Sequence, residues 1–215
     1  MEVIRFADRA AAGQRLAELL GPSLGAPADA VVLGLARGGI EVAGPVAAEL
    51  GVPLDVLVVR KVGHPGRPEL GLGAVGEDGA VVWDTGLLDR TGLAAGDLRD
   101  ALEAERSELR RRVSAYRAGR ARTSVAGRTA VLVDDGIATG VTARAAIRDL
   151  RAAGAVRIVV AVPVVAAATV PVLEAEGSEV VALVVAARFG AVSQWYVDFG
   201  QTADATVVRL LAAAR

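Results

Sequence analysis

Short runs of β-branched and aliphatic residues recur along this chain at 30–36, 54–59, 129–133, 156–162 and 180–185, each nearly continuous in apolar character. A strand with one wet face would alternate polar and apolar positions, so runs without alternation predict parallel strands buried on both faces. The stretches between them, at 40–50, 142–153 and 166–176, have helical periodicity. Strands alternating with crossover helices predict an open, mainly parallel α/β sheet with helices on both faces. Near the start, Ala11, Leu16, Leu19 and Leu20 fall on one side of a helix over 8–20, with Asp8 as its cap and Gly21-Pro22 as its end. Residues 1–5 lead straight into this helical pattern. Ligands of open α/β sheets bind at the carboxyl ends of the strands.

Two segments break the rhythm. Residues 60–83 are rich in glycine and proline and predict a mobile loop leading into a β-hairpin that turns at Glu77-Asp78-Gly79. Residues 97–120 predict one long helix with Leu98, Leu102, Leu109, Val113 and Tyr116 as its apolar stripe. The run Arg110-Arg111-Arg112 is preceded by Glu103, Glu105 and Glu108, which fits a solvated or subunit-contacting face better than a nucleic-acid surface. Without repeats or linkers, residues 1–215 are expected to form a single domain.

Composition narrows the function classes. At 215 residues and 53% hydrophobic content the chain can bury a domain-sized core. It has no apolar run of the roughly 18 residues that span a bilayer, and its start lacks signal-peptide regions, so a cytoplasmic protein without membrane contact is expected. With no cysteine and one histidine, His64, disulfides, thiolate zinc sites, thiol nucleophiles and multi-histidine centres are excluded within one chain. Any metal must be held by oxygen. A net charge of −1 gives no global field for nucleic acid, so an anionic ligand would need local geometry.

That local geometry is encoded where the apolar run at 129–133 ends. Val131, Leu132 and Val133 deliver Asp134 and Asp135 to a strand's carboxyl end, and Gly136, Ile137, Ala138, Thr139, Gly140, Val141 and Thr142 turn the chain into a helix. Small residues let backbone N–H groups approach a phosphate, the helix N-terminus favours its charge, and two hydroxyls can donate. Two carboxylates beside such a cradle would face neutral hydroxyls or a bound cation. Asp135 as a mere helix cap would not account for the second acid or the Thr-Gly-Val-Thr run. The first strand likewise ends in Arg37, Gly38 and Gly39, where glycines can aim N–H groups at an anion and the arginine adds a charged fork. Arg60 and Lys61 follow the second strand, and Lys61 is the chain's only lysine. Arg67 and His64 lie in the same segment. Residues Gly71 to Gly76 match G-x-G-x-x-G but precede a turn rather than a helix, against a dinucleotide site, and no P-loop lysine exists. Phe189, Trp195, Tyr196 and Phe199 form an aromatic cluster in a chain with 3% aromatic residues. Its rings could stack on a planar base or plug the sheet edge, and Asp198 could bind magnesium or a base edge.

The segment from Val131 to Thr142 resembles the signature of type I phosphoribosyltransferases, which bind 5-phosphoribosyl 1-diphosphate (PRPP). The resemblance implies that Asp134 and Asp135 bind the ribose hydroxyls and Mg²⁺, and that residues 136–142 bind the 5-phosphate. It implies that Arg37, Gly38 and Gly39 form the diphosphate loop, with Arg60, Lys61 and Arg67 at the leaving group under a mobile loop. Asp134, Asp135, Lys61 and Arg37 are the expected catalytic set. Hypoxanthine enzymes are similar around Phe189, Trp195 and Asp198, which become the expected base-binding residues of a hood at 186–204. Those enzymes carry an acid where Ala138 stands, as adenine enzymes do not, and the pattern is closest to a group of bacterial phosphoribosyltransferase-like proteins. The expected activity is transfer of phosphoribose from PRPP to a small planar nitrogen acceptor by a homodimer in nucleotide salvage. A PRPP-sensing regulator without turnover and a sugar-phosphate hydrolase are the alternatives.

Overall fold

A computed structural model describes residues 5–24 and 29–214. Residues 1–4, expected to lead straight into the first helix, lie outside that range. Five parallel strands form the central sheet: β1 (Ala30–Leu35), β2 (Leu54–Leu57), β6 (Thr129–Val133), β7 (Arg157–Ala166) and β8 (Glu179–Ala186), in the order β2-β1-β6-β7-β8. The two-residue repeat of a strand divides its side chains between two cores. Val31, Leu33, Leu132, Val160 and Val162 pack toward α5 (Val141–Ala152), while Val32, Val131, Val133, Val159 and Ala161 pack toward α1 (Arg9–Leu24) and α2 (Gly39–Leu50). Both faces are therefore covered over β1, β6 and β7, as their continuous apolar runs require, whereas the edge strand β8, expected from its run to be buried on both faces, is half-exposed, with Val185 57% exposed.

The chain runs from β1 to β2 in one direction and from β6 through β7 to β8 in the other. The crevice where the order reverses lies between β1 and β6, the place where open α/β sheets bind ligands. Gly34 of β1 is in register with Val133 of β6, so the turns after these strands emerge side by side.

Three expectations change. The first helix does not stop at Gly21-Pro22 but continues to Leu24 with Pro22 inside it. In the last turn a proline forfeits a single hydrogen bond to the preceding turn, which a helix end tolerates. Second, residues 60–83 form a three-stranded antiparallel sheet instead of a loop and hairpin: β3 (Arg60–His64), β4 (Arg67–Val75) and β5 (Val81–Trp83). Its glycines serve close approach; a Cβ on Gly73 would lie 2.4 Å from the Trp83 ring, and one on Gly63 would lie 2.4 Å from the Pro68 carbonyl. Gly71 to Val75 are strand residues, in keeping with rejection of a dinucleotide turn. Third, residues 97–120 divide into a 3₁₀ turn and α4 (Arg99–Arg117). Leu98, Leu109 and Tyr116 are buried against the small sheet and against α7 (Asp204–Ala213). The short helices α3 (Thr85–Thr91) and α6 (Val170–Ala175) complete the chain. No helix among the described residues is long and apolar enough to cross a membrane.

Candidate active site

The two turns at the switch point interlock. A Cβ on Gly38 would lie 2.0 Å from the Oδ2 atom of Asp135, and a Cβ on Gly39 would lie 2.6 Å from the Val133 carbonyl and 2.9 Å from the Asp134 Cα. Glycine is required here by crowding, because Gly38 itself has φ −60° and ψ −38°. The N–H groups of Arg37 and Gly38 donate no hydrogen bond among the described residues. Arg37 follows a cis peptide bond and its Nη1 lies 3.6 Å from the Asp204 carboxylate at the start of α7.

After β6, the N–H of Ile137 donates to the Val164 carbonyl at 2.9 Å, which pins the turn to β7 and removes that donor from ligand contact. Ile137 itself is a core residue. The N–H groups of Ala138, Thr139 and Gly140 have no such partner among the described residues. Gly140 adopts φ +77°, a conformation that favours glycine, and α5 begins at the next residue. These groups, with Gly136, Val141 and Thr142, line a cavity of ≈ 90 Å³ that Asp134 and Lys61 also border. Free amides, a helix N-terminus and a lysine around a small cavity suit a phosphate group.

Alternation along β3 separates the two basic residues expected to act together. Lys61 borders the cavity, whereas Arg60 turns to α4 and pairs with Glu105 at 2.7 Å, so it is not at the cradle. Arg67 is exposed on β4, and the Nδ1 atom of His64 accepts the Gly66 N–H at 3.0 Å within its own turn.

The two acids have different surroundings. Asp135 pairs through Oδ2 with the Nε of Arg9 at 2.8 Å. Asp134 accepts the Asp135 N–H at 2.9 Å and borders the cradle. Burial, and then the charge of Asp135, push the Asp134 carboxyl well above its ordinary range. Burial also raises Asp135, against the opposing charge of Arg9. A buried acid pair short of positive charge fits a cation, and Mg²⁺ commonly takes one or two protein carboxylates together with substrate oxygens. No group of three or more histidine, cysteine or acidic side chains that could hold a metal occurs among the described residues.

Beside Gly38 opens a second cavity of ≈ 440 Å³, bordered by Arg9, Arg37, Asp135 and Phe199 to Thr202. The residues expected to bind a base are not gathered at either cavity. Phe189 and Trp195 pair with each other, ring centroids 6.2 Å apart, and Asp198 is exposed and accepts the Gly200 N–H at 3.3 Å. Phe6, Tyr196 and Phe199 instead build a core under the hood, with Tyr196 donating its hydroxyl to the Asp135 carbonyl. Sequence reasoning missed Arg9 and Asp204; as an arginine and an aspartate without a motif around them, they gave no signal, whereas Phe199 was singled out only as a member of the aromatic cluster.

The model of the phosphoribosyl transferase domain family matches residues 9–183, which hold both turns and Lys61. The chain belongs to this family. Its fold is the type I phosphoribosyltransferase fold. Over 207 residues it is 48% identical to "Putative phosphoribosyl transferase Rv0571c" of Mycobacterium tuberculosis, a match covering 96% of this chain and 46% of that protein. The chain thus spans about half the length of the curated relatives it matches. It is 46% identical to the crystal structure of TT1426 from Thermus thermophilus, with a TM-score of 0.80 and coverage of 98% and 99% of the two chains. A hypothetical protein from Neisseria gonorrhoeae with bound ppGpp shares the fold at 15% identity and a TM-score of 0.50, covering 100% and 99%.

Proposed function

We propose that this phosphoribosyltransferase-family chain transfers the 5-phosphoribosyl group of PRPP to a nitrogen atom of a planar acceptor, a nucleobase, with release of diphosphate. The observation that carries the reading is the ≈ 90 Å³ cavity, which gathers Lys61, Asp134 and the amides of the turn before α5 that have no hydrogen-bond partner among the described residues. PRPP would set its 5-phosphate in this cavity, its ribose against Asp134 and Asp135, and its diphosphate toward Gly38 and Arg37.

In the reaction the bond from C1 to the diphosphate oxygen breaks, a bond from C1 to the acceptor nitrogen forms, and the acceptor loses a proton. Positive charge develops at C1 and negative charge on the leaving group. In this reading Lys61, Arg37 and the Gly38 amide would stabilise the second, and the Asp134 carboxylate the first. No protein nucleophile is needed. Asp134, with substrate oxygens, would hold Mg²⁺, which supplies charge neutralisation of the diphosphate.

A second reading, a PRPP sensor without turnover, draws support from the aromatic residues, which build the hood core in preference to an open stacking platform. The first test is thermal unfolding with Mg²⁺ and PRPP, because a ligand that binds only the native state raises the midpoint. A rise in the wild type that vanishes in Asp134→Asn plus Asp135→Asn is expected; an equal rise in the double variant removes the assignment. Diphosphate release across a panel of purines, pyrimidines and amines then separates the two readings, since a sensor releases none.

A further inference from the structure

We infer that Arg9, on α1 and outside every motif of the sequence, belongs to the ligand site: it fixes the Asp135 carboxylate and offers a cationic donor to the diphosphate end of the ligand. This rests on the transfer reading above. Arg9 is 7% exposed, an unusual burial for an arginine, and three groups account for its position. Its Nε donates to Asp135 at 2.8 Å, its Nη1 donates to the hood carbonyl of Gly200 at 2.7 Å, and its guanidinium lies 3.9 Å from the centre of the Phe199 ring.

A guanidinium has five donor hydrogens in one plane. Nη2 donates to nothing among the described residues, and Arg9 borders the ≈ 440 Å³ cavity together with Arg37 and Gly38. The local charge balance gives this donor its importance. The site carries Asp134 and Asp135, with Glu41 4.0 Å from Arg9 and Asp204 3.6 Å from Arg37, while Arg60 is committed to Glu105. A diphosphate entering beside Gly38 would meet more carboxylates than Arg37 and Lys61 can offset. Arg9 corrects that balance on the side where the anion must lie. It also sets the Asp135 carboxylate with a directed bond, which lysine could do only as a point charge.

The test is titration calorimetry with two probes, Mg²⁺–pyrophosphate and Mg²⁺–PRPP, on Arg9→Gln and Arg9→Lys. Arg9→Gln should weaken pyrophosphate binding about tenfold or more, as loss of a charge-assisted hydrogen bond does, and should weaken PRPP binding further because Asp135 is no longer fixed. Arg9→Lys should recover part of the pyrophosphate affinity and less of the PRPP affinity. A purely structural arginine would lower the melting temperature of both variants and leave both affinities at the wild-type value, which overturns the inference. If Arg9→Gln does not fold because Asp135 is left as an unpaired buried charge, the comparison moves to Asp135→Asn against Asp135→Asn plus Arg9→Gln. There the same tenfold loss of pyrophosphate affinity is expected, and its absence is equally decisive. Wild-type protein that binds neither probe removes the transfer reading itself, and the inference with it.

Discussion

A single methyl group at residue 38 should disable the site. Gly38 has φ −60° and ψ −38°, so alanine adds no backbone strain there, and any effect must come from what its Cβ meets. That atom would lie 2.0 Å from Oδ2 and 2.8 Å from Cγ of Asp135, and 3.0 Å from Nε of Arg9. Relief requires the carboxylate to retreat by about 1 Å, enough to break its directed bond to Arg9. Overpacking and partial loss of a buried ion pair together should cost about 2–4 kcal/mol. For a chain of this size that is a fall of roughly 4–16 °C in melting temperature. Gly21→Ala is the control, since nothing lies within 4 Å of its Cβ. In the helix it should be neutral or stabilise by up to about 1 kcal/mol. Differential scanning fluorimetry with and without Mg²⁺–PRPP reads both effects. Gly38→Ala that melts within about 1 °C of wild type and keeps the full ligand shift would refute the claim that the two turns interlock.

Lys61→Ala should lower the rate of diphosphate release about 10²-fold or more while PRPP affinity changes much less, because charge on the leaving oxygen grows as the bond breaks. Lys61→Arg should rescue only partly, and an alanine variant with the wild-type rate ends this role for the lysine. Asp149 on α5 is fully buried and accepts the Asp78 N–H at 3.3 Å, and burial pushes its carboxyl up to about 6. A folded-state value above the unfolded one means the native protein binds the extra proton, so stability falls as pH rises from about 4 to 6 and stays lower above that range. Asp149→Asn keeps the acceptor and removes the charge; it should flatten that slope and stabilise the protein at pH 8 by up to about 3 kcal/mol, read by urea unfolding across pH. Parallel curves for variant and wild type would contradict it.

The central sheet was legible because burial on both faces leaves a mark in every residue of a strand, so 30–36 and 129–133 could hardly be anything else. The small sheet was not, because glycine has two uses that composition cannot separate. At residues 63, 73 and 76 it makes room for Pro68, Trp83 and Asp149, whereas the density of glycine in that stretch predicts a loop. The cradle was legible for a different reason. Its donors and acids are contiguous in the chain, so a local motif describes nearly the whole of it. Arg9 and Asp135 are 126 positions apart, and no local pattern links them.

The same distinction applies to α4, whose arginine-bearing face was read from sequence as solvated or subunit-contacting. Arg117 is 6% exposed and donates to Glu77 at 2.7 Å and 3.0 Å and to the Val56 carbonyl at 2.6 Å. Glu77 in turn accepts the Val58 N–H at 2.7 Å, so one buried pair joins α4, the end of β2 and the turn between β4 and β5. Arg60 and Glu105 add a second tie, from β3 to α4. Lys61 is the residue after Arg60, and alternation along the strand points it the opposite way, into the cradle cavity. A charged donor stabilises a transition state best when it does not have to move into place as the charge develops. Arg60 fastens the β3 backbone from which the exposed Lys61 side chain reaches the cavity, so an arginine away from the cradle still bears on where the lysine starts from.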